Sequence, residues 1–173
     1  MVRDELSAGL FVGIQFVALG LIAWASATPF VFPSLGPSAY LLATGERDRA
    51  SGPYHVIGGH LIAVVAGLLA YHLIAPGLVV TDAIEAATPF SADVGLLAAS
   101  SVTAMVLTTI GMLVSDTNHP AACATTLIVS LGLLSTLADA VVIMVAITFL
   151  VALHELVIHP IAAAYDLEPK DPR

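Results

Sequence analysis

The chain reads as long apolar stretches separated by short polar ones. No Asp, Glu, Lys or Arg occurs from Leu6 to Gly45, from Ala50 to Thr81, from Val94 to Ser115 or from Thr117 to Ala138. Each stretch holds the roughly 20 apolar residues that a membrane-spanning helix needs. The runs are continuous rather than alternating, which excludes a transmembrane β-barrel. Backbone polar groups in lipid must be satisfied within the segment. The pattern predicts an all-α integral membrane protein: a helical bundle forming one transmembrane domain over residues 1–173.

The elements follow from where the pattern breaks. A first helix is predicted from about Ser7 to Thr28, with Gln15 as its only strongly polar residue and Trp24 near its end as an interface anchor. Met1-Val2-Arg3-Asp4-Glu5 has no basic n-region and no small-residue cleavage site follows, so this helix is expected to be retained. The stretch Pro29–Tyr40 contains Pro29, Pro33, Gly36 and Pro37 and cannot be regular helix, yet it is uncharged. Broken backbone at membrane depth is tolerated only where protein buries it or a cavity lines it. Ser38–Thr44 reads as a short helix. Further helices are predicted at about His55–Ile74, Val94–Val114, Ala121–Leu134 and Leu137–Ile158, the last ending at His159-Pro160. A second break, Ser115-Asp116-Thr117-Asn118-His119-Pro120, combines capping residues with a first-turn proline. An acidic loop is expected over Thr81–Asp93 and a polar tail over 161–173.

Composition narrows the class. Hydrophobic residues make up 58% and charged residues 10% of the chain, and mean hydropathy is +0.98. A soluble domain carries roughly 25% charged residues, so this chain cannot cover a soluble surface. The net charge of −8 sits in loops and tails and repels nucleic acid. Cys123 is the sole cysteine, which excludes an intrachain disulfide and a thiolate metal cluster. No cofactor is expected.

The basic residues are Arg3, Arg47, Arg49, Lys170 and Arg173. Placing them all in the cytoplasm requires two passes between Arg3 and Arg47, supplied by the first helix and the broken Pro29–Thr44 segment. Both termini are then cytoplasmic in a multi-pass protein of the cell membrane. Three segments precede the acidic loop and three follow it. Both triplets read helix, broken segment with short helix, helix, in opposite orientations. This predicts a 3+3 inverted-topology repeat, residues 7–78 and 93–160, with the two broken segments facing each other.

Pro33-Ser34-Leu35-Gly36-Pro37-Ser38-Ala39, Val56-Ile57-Gly58-Gly59-His60 and Asn118-His119-Pro120-Ala121-Ala122 resemble, in that order, the motifs of the HPP family of integral membrane proteins. The resemblance runs from about Phe11 to His159. It implies a small protein of about four spanning helices. Some cyanobacterial and chloroplast members are linked to nitrite transport, so it also implies a nitrite or small-anion transporter or channel. At the name-giving His-Pro-Pro position this sequence has His119-Pro120-Ala121.

Short helices that begin inside the membrane present backbone N–H groups and a positive dipole end, which suits a small anion. The candidate binding or pore residues are therefore Ser34, Gly36, Pro37, Ser38 and Ala39 on the first break, and Thr117, Asn118, His119, Pro120, Ala121 and Ala122 on the second. His60, after Gly58-Gly59, joins them, because polar residues at membrane depth are functional candidates by default. No Lys or Arg lies between Ala50 and Pro169, so an anion must be held by dipoles, neutral donors or a protonated histidine. His60 and His119 either shuttle a proton with the anion or brace the broken helices. Asp139 reads as a helix cap. His154-Glu155 and His159 miss zinc-helix spacing by one residue, so no metal site is expected.

The leading expectation is a transporter or channel for a small monovalent anion, nitrite by resemblance. The alternatives are an intramembrane enzyme, for which no nucleophile–base pair is evident in the sequence, and a transporter of formate, nitrate or a cation. Membrane lipid is the surrounding partner. The many Gly and Ala residues predict close helix contacts between subunits and hence a homo-oligomer.

Overall fold

The computed structural model describes residues 2–44, 52–86 and 88–165. Its elements are α1 (Val2–Ser26), α2 (Leu35–Thr44), α3 (Pro53–Ile74), α4 (Val80–Glu85), α5 (Ala92–Ser115), α6 (Ala122–Ser130), α7 (Leu137–Leu153), a π-helical turn (His154–Ile158) and α8 (His159–Ala164). All are helical, as the continuous apolar runs require. Four spans are long and apolar enough to cross a membrane: Glu5–Ser26, Pro53–Ile74, Ala92–Ser115 and Leu137–Ala164. The chain is a multi-pass membrane protein.

The two remaining segments are half-length. α2 has 10 residues and α6 has 9, so each covers about 15 Å or less, half of a bilayer core. α3 lies at the centre and packs against α5, α6 and α7. α2 packs on α1 and α7. Leu19, Leu35, Val56, Val129, Ile143, Ile147 and Leu150 form the main apolar core. Outside it, Leu10, Val17, Leu21, Leu73, Val102, Val114 and Val145 are exposed to the surroundings, as lipid-facing residues must be. Polar side chains lie inside instead: Ser34, Ser38, His60, Ser100, Thr108, His119, Thr125, Thr126 and Ser130 have no exposed surface.

Two contacts define the ends of the bundle. The Tyr54 hydroxyl donates to the Ser115 carbonyl at 3.0 Å, joining the start of α3 to the end of α5. At the other end the Val80 N–H donates to the Leu131 carbonyl at 3.0 Å. Phe11, Ala43, Ile158 and Ala162 form a separate cluster that gathers α1, the end of α2 and α8.

Several boundaries differ from expectation. α2 begins at Leu35, before Pro37, because a proline is accommodated in a first helical turn, where its missing N–H has no partner to lose. α6 stops at Ser130 rather than Leu134, ended by Gly132 at φ +79°. Part of the acidic loop is helical, as α4. The last helix does not end at His159-Pro160 but runs on to Ala164, inside the expected polar tail. Its π-helical turn carries the His159 N–H to the His154 carbonyl. That wider turn takes in the Pro160 ring without ending the helix. Asp139 does cap α7: its N–H donates to Thr136 Oγ1 at 3.1 Å and its Oδ2 accepts from the Thr136 N–H at 3.0 Å. Arg47, Arg49, Lys170 and Arg173, on which the topology expectation leans, lie outside the described residues.

Candidate functional site

Both breaks turn inward. α1 ends where Ala27 takes φ +52°, and an irregular stretch with a turn at Pro33-Ser34 leads to α2. The buried face of α2 carries Leu35, Ser38, Ala39 and Leu42. α5 ends where Asp116 adopts a left-handed φ of +52°, a conformation Asp tolerates. Asp116 thus closes α5 rather than opening α6. Thr117 and His119 then turn into the core. α3 can approach them closely because Gly59 faces His119 with no side chain between.

Ser38 stands at the meeting point. Its Oγ lies 3.0 Å from His60 Nε2 and 3.0 Å from His119 Nε2. It also donates to the Ser34 carbonyl at 3.1 Å. The two imidazole rings have centroids 5.2 Å apart and are tilted by 56°. His60 Nδ1 lies 2.8 Å from Thr125 Oγ1, and the Thr125 hydroxyl donates to Ser34 Oγ at 2.7 Å. Five side chains, from α2, α3, α6 and the breaks before α2 and α6, therefore form one connected network. His60 is seven residues into α3, roughly 10 Å along the axis from its start, so the network sits within the membrane.

Of the residues expected from sequence, Ser34, Ser38, His60 and His119 are the ones hydrogen-bonded into this network. Thr117 is buried beside it, with Oγ1 2.7 Å from the Ser115 hydroxyl. Ala39, Ala121 and Ala122 are buried and supply close packing. Gly36 is half-buried, while Pro37, Asn118 and Pro120 are exposed; these last three shape the breaks and lie away from the network. The amides expected to face an anion at the start of α6 are engaged: Ala122, Cys123 and Ala124 donate to the carbonyls of His119, Pro120 and Ala121. Binding capacity here lies in side chains.

Thr125 is the member of the network that the sequence analysis did not single out. Its signal is spacing: on the same buried face as Ala122, it falls one turn into a helix whose preceding loop carries His119. A neighbouring hydroxyl ladder ties α6 to α5: Ser100 donates to the Ser130 carbonyl at 3.0 Å, and Thr108 and Thr126 are 2.9 Å apart. A separate buried pair, Gln15 Nε2 and His154 Nδ1 at 3.2 Å, joins α1 to the π-helical turn. Among the described residues no group of His, Cys, Asp or Glu is arranged to hold a metal.

No curated protein and no solved structure matches the chain. The family model described as "HPP, transmembrane region" matches residues 3–166. That span takes in α1 to α8, both breaks and every member of the serine–histidine network, so the chain belongs to the HPP family of membrane proteins.

Proposed function

We propose that this protein is a transporter or channel for a small monovalent anion, nitrite first among them. One observation carries the reading: Ser38, His60 and His119 meet, fully buried, at the centre of a lipid-facing bundle. Polar groups are buried at membrane depth only when hydrogen-bonded, and there they are functional candidates by default. A scaffold needs neither the two broken segments nor the histidines they bring together. With no Lys or Arg from Ala50 to Pro169, the donors available to an anion are these imidazoles and hydroxyls. Nitrite is favoured by the resemblance to family members linked to its transport.

The order long helix, half helix, long helix occurs twice, as α1–α3 and α5–α7, which supports an inverted repeat. The clustering of Phe11, Ala43 and Ala162 at one end supports both termini on one face, the cytoplasmic one by charge, in the cell membrane. Gly9 and Gly13 on α1 have open space where a Cβ would stand, which supports close packing against a second copy in a homo-oligomer.

The test is flux. Liposomes holding the protein should take up nitrite faster than empty ones. If nitrite, nitrate, formate and chloride all fail to cross, at acidic and neutral pH, the reading is wrong.

A second reading has its own observation. A serine oxygen 3.0 Å from an imidazole nitrogen is also the geometry of a nucleophile and its base, a pair not evident in the sequence. It would make the protein an intramembrane hydrolase. Against it, the far ring nitrogen of His60 meets a threonine hydroxyl rather than a carboxylate. Labelling of Ser38 by a fluorophosphonate, absent in Ser38→Ala, would favour the hydrolase.

A further inference from the structure

We propose that the cluster carries one proton with each anion, held on His60 and handed over through the Ser38 hydroxyl. The proposal rests on the anion reading above and adds what balances the anion's charge.

Counting protons leads to it. Five contacts meet in the cluster: Ser38 with the Ser34 carbonyl, with His60 Nε2 and with His119 Nε2; His60 Nδ1 with Thr125; and Thr125 with Ser34 Oγ. A hydroxyl has one proton to give and two lone pairs to receive with. The Ser34 carbonyl can only accept, so that bond uses the Ser38 proton. The Thr125 proton goes to Ser34 Oγ. His60 Nδ1 must then donate to Thr125, and both Nε2 atoms must donate to Ser38. All five bonds hold together only when His60 carries a proton on each ring nitrogen.

With His60 neutral and protonated on Nδ1, its Nε2 is bare and takes the Ser38 proton. The bond from Ser38 to the Ser34 carbonyl is then given up. Ser38 is thus a rotor whose setting follows the protonation of both rings. In the neutral setting the groups line up head to tail: His119 Nε2–H to Ser38, Ser38 O–H to His60 Nε2, His60 Nδ1–H to Thr125, Thr125 O–H to Ser34. An extra proton on His119 passes by relay. The His119 Nε2–H bond breaks as an O–H bond forms at Ser38. The original Ser38 O–H bond breaks as an N–H bond forms at His60 Nε2. No electrons are exchanged, and the positive charge moves from His119 to His60. His119 is then bare at Nε2 and takes the new Ser38 proton; the five-bond arrangement returns once His119 regains a proton at Nε2 and releases the one on Nδ1.

Among the described residues no carboxylate contacts His60 to balance that charge. The titratable group facing His60 is His119. From α2 it meets Ser38, and from α6 Thr125. On the packed helices α5 and α7, Asp93 and Asp139 stand in the first turns, at the opposite end of the bundle, and Asp116 is exposed past the end of α5. A buried, unbalanced cation is costly, and an anion beside it removes much of that cost. Proton and anion therefore favour each other's binding, and the loaded pair is neutral as it crosses.

The test uses the full chain in liposomes with a pH-sensitive dye trapped inside and nitrite added outside. The expected result is internal acidification above that of empty liposomes, at one proton per nitrite. Nitrite accumulation is expected to ignore a potassium–valinomycin potential, whereas an uncoupled anion path would shift its accumulation about fifty-fold per 100 mV. Ser38→Ala and Thr125→Val, both close in volume to the originals, are expected to cut coupled flux at least tenfold. Nitrite flux in the wild type without proton uptake, and responsive to voltage, overturns the coupling and leaves the anion reading standing. No nitrite flux in the wild type overturns both. One-to-one coupling that survives at full rate in both variants overturns the relay through these residues.

Discussion

Gly59 and His119 touch. A Cβ built on Gly59 would stand 2.9 Å from the His119 Cβ, 3.1 Å from the Thr117 carbonyl oxygen and 3.5 Å from the Ala122 Cβ. The missing side chain at position 59 therefore sets how closely α3 approaches the second break. Gly59→Ala is expected to destabilise the protein by about 1–3 kcal/mol through overpacking, and to reduce transport by displacing His119. The thermal midpoint in detergent reads the first effect and liposome flux the second. An unchanged midpoint would show that the contact can relax.

His119 is buried without exposed surface and bonds to Ser38 across the bundle. His119→Ala leaves Ser38 one partner short and opens a void. A stability loss of about 2–4 kcal/mol is expected from the cavity and the lost bond. The informative comparison is His119→Gln, which fills much of the space and keeps a donor but does not relay a proton. A brace role predicts that His119→Gln restores both midpoint and flux. The relay predicts a restored midpoint with flux still lost.

Thr136 and Asp139 form a reciprocal capping box at the start of α7, with the Thr136 hydroxyl also donating to Asp139 Oδ2 at 2.7 Å. Thr136→Ala is expected to cost about 1 kcal/mol, and Thr136→Ser to recover most of it. Both changes lie at the end of the bundle away from His60, so flux per folded molecule should be unchanged. A change in flux with Thr136→Ser would contradict a purely local role.

Gln15 has no exposed surface, bonds His154 through Nε2, and leaves its Oε1 without a partner among the described residues. An orphaned buried acceptor costs about 1–3 kcal/mol, comparable to what the remaining bond contributes. Gln15→Leu is therefore expected to be neutral or slightly stabilising, within about 1 kcal/mol. A loss beyond about 2 kcal/mol, on the same scale, would mean that Oε1 is satisfied in the membrane by a bound water or solute.

Much of this architecture was legible because lipid permits few solutions. Three of the charge-free runs located three of the four spans; the fourth run, Thr117–Ala138, holds only the half-helix α6, and the fourth span was read from the apolar stretch between Asp139 and Glu155. The prolines and glycine at 29–37, and the capping residues with Pro120 at 115–120, located both breaks. His60 and His119 stood out as polar groups at depth. What escaped the sequence was decided by three-dimensional register. Asn118 carries capping chemistry, yet it is exposed while its neighbours Thr117 and His119 are buried. Thr125 looks like Thr126 on paper, but one bonds His60 and the other bonds Thr108 on α5. Pro160 promised a helix end, and the π-helical turn absorbed it. The start of α6 promised free amides, but its tight first turn satisfies them locally.

The two half-helices are mechanically unequal. α6 is moored along its whole length: Ser130 and Thr126 hold it to α5, and the Val80–Leu131 bond fastens its far end to the linker. Gly132, in tight contact with the Leu78 carbonyl, blocks sliding along the axis. By contrast, the hydrogen bonds that tie α2 and the residue just before it to other elements, among the described residues, are those of Ser38 and Ser34 within the cluster itself. Releasing them severs the polar moorings of α2 but leaves the bonds of α6 to α5 and to the linker intact. α2 is thus the less tethered of the two half-helices by hydrogen bonds, and what ties it to the rest of the bundle is the same group of side chains that forms the buried network.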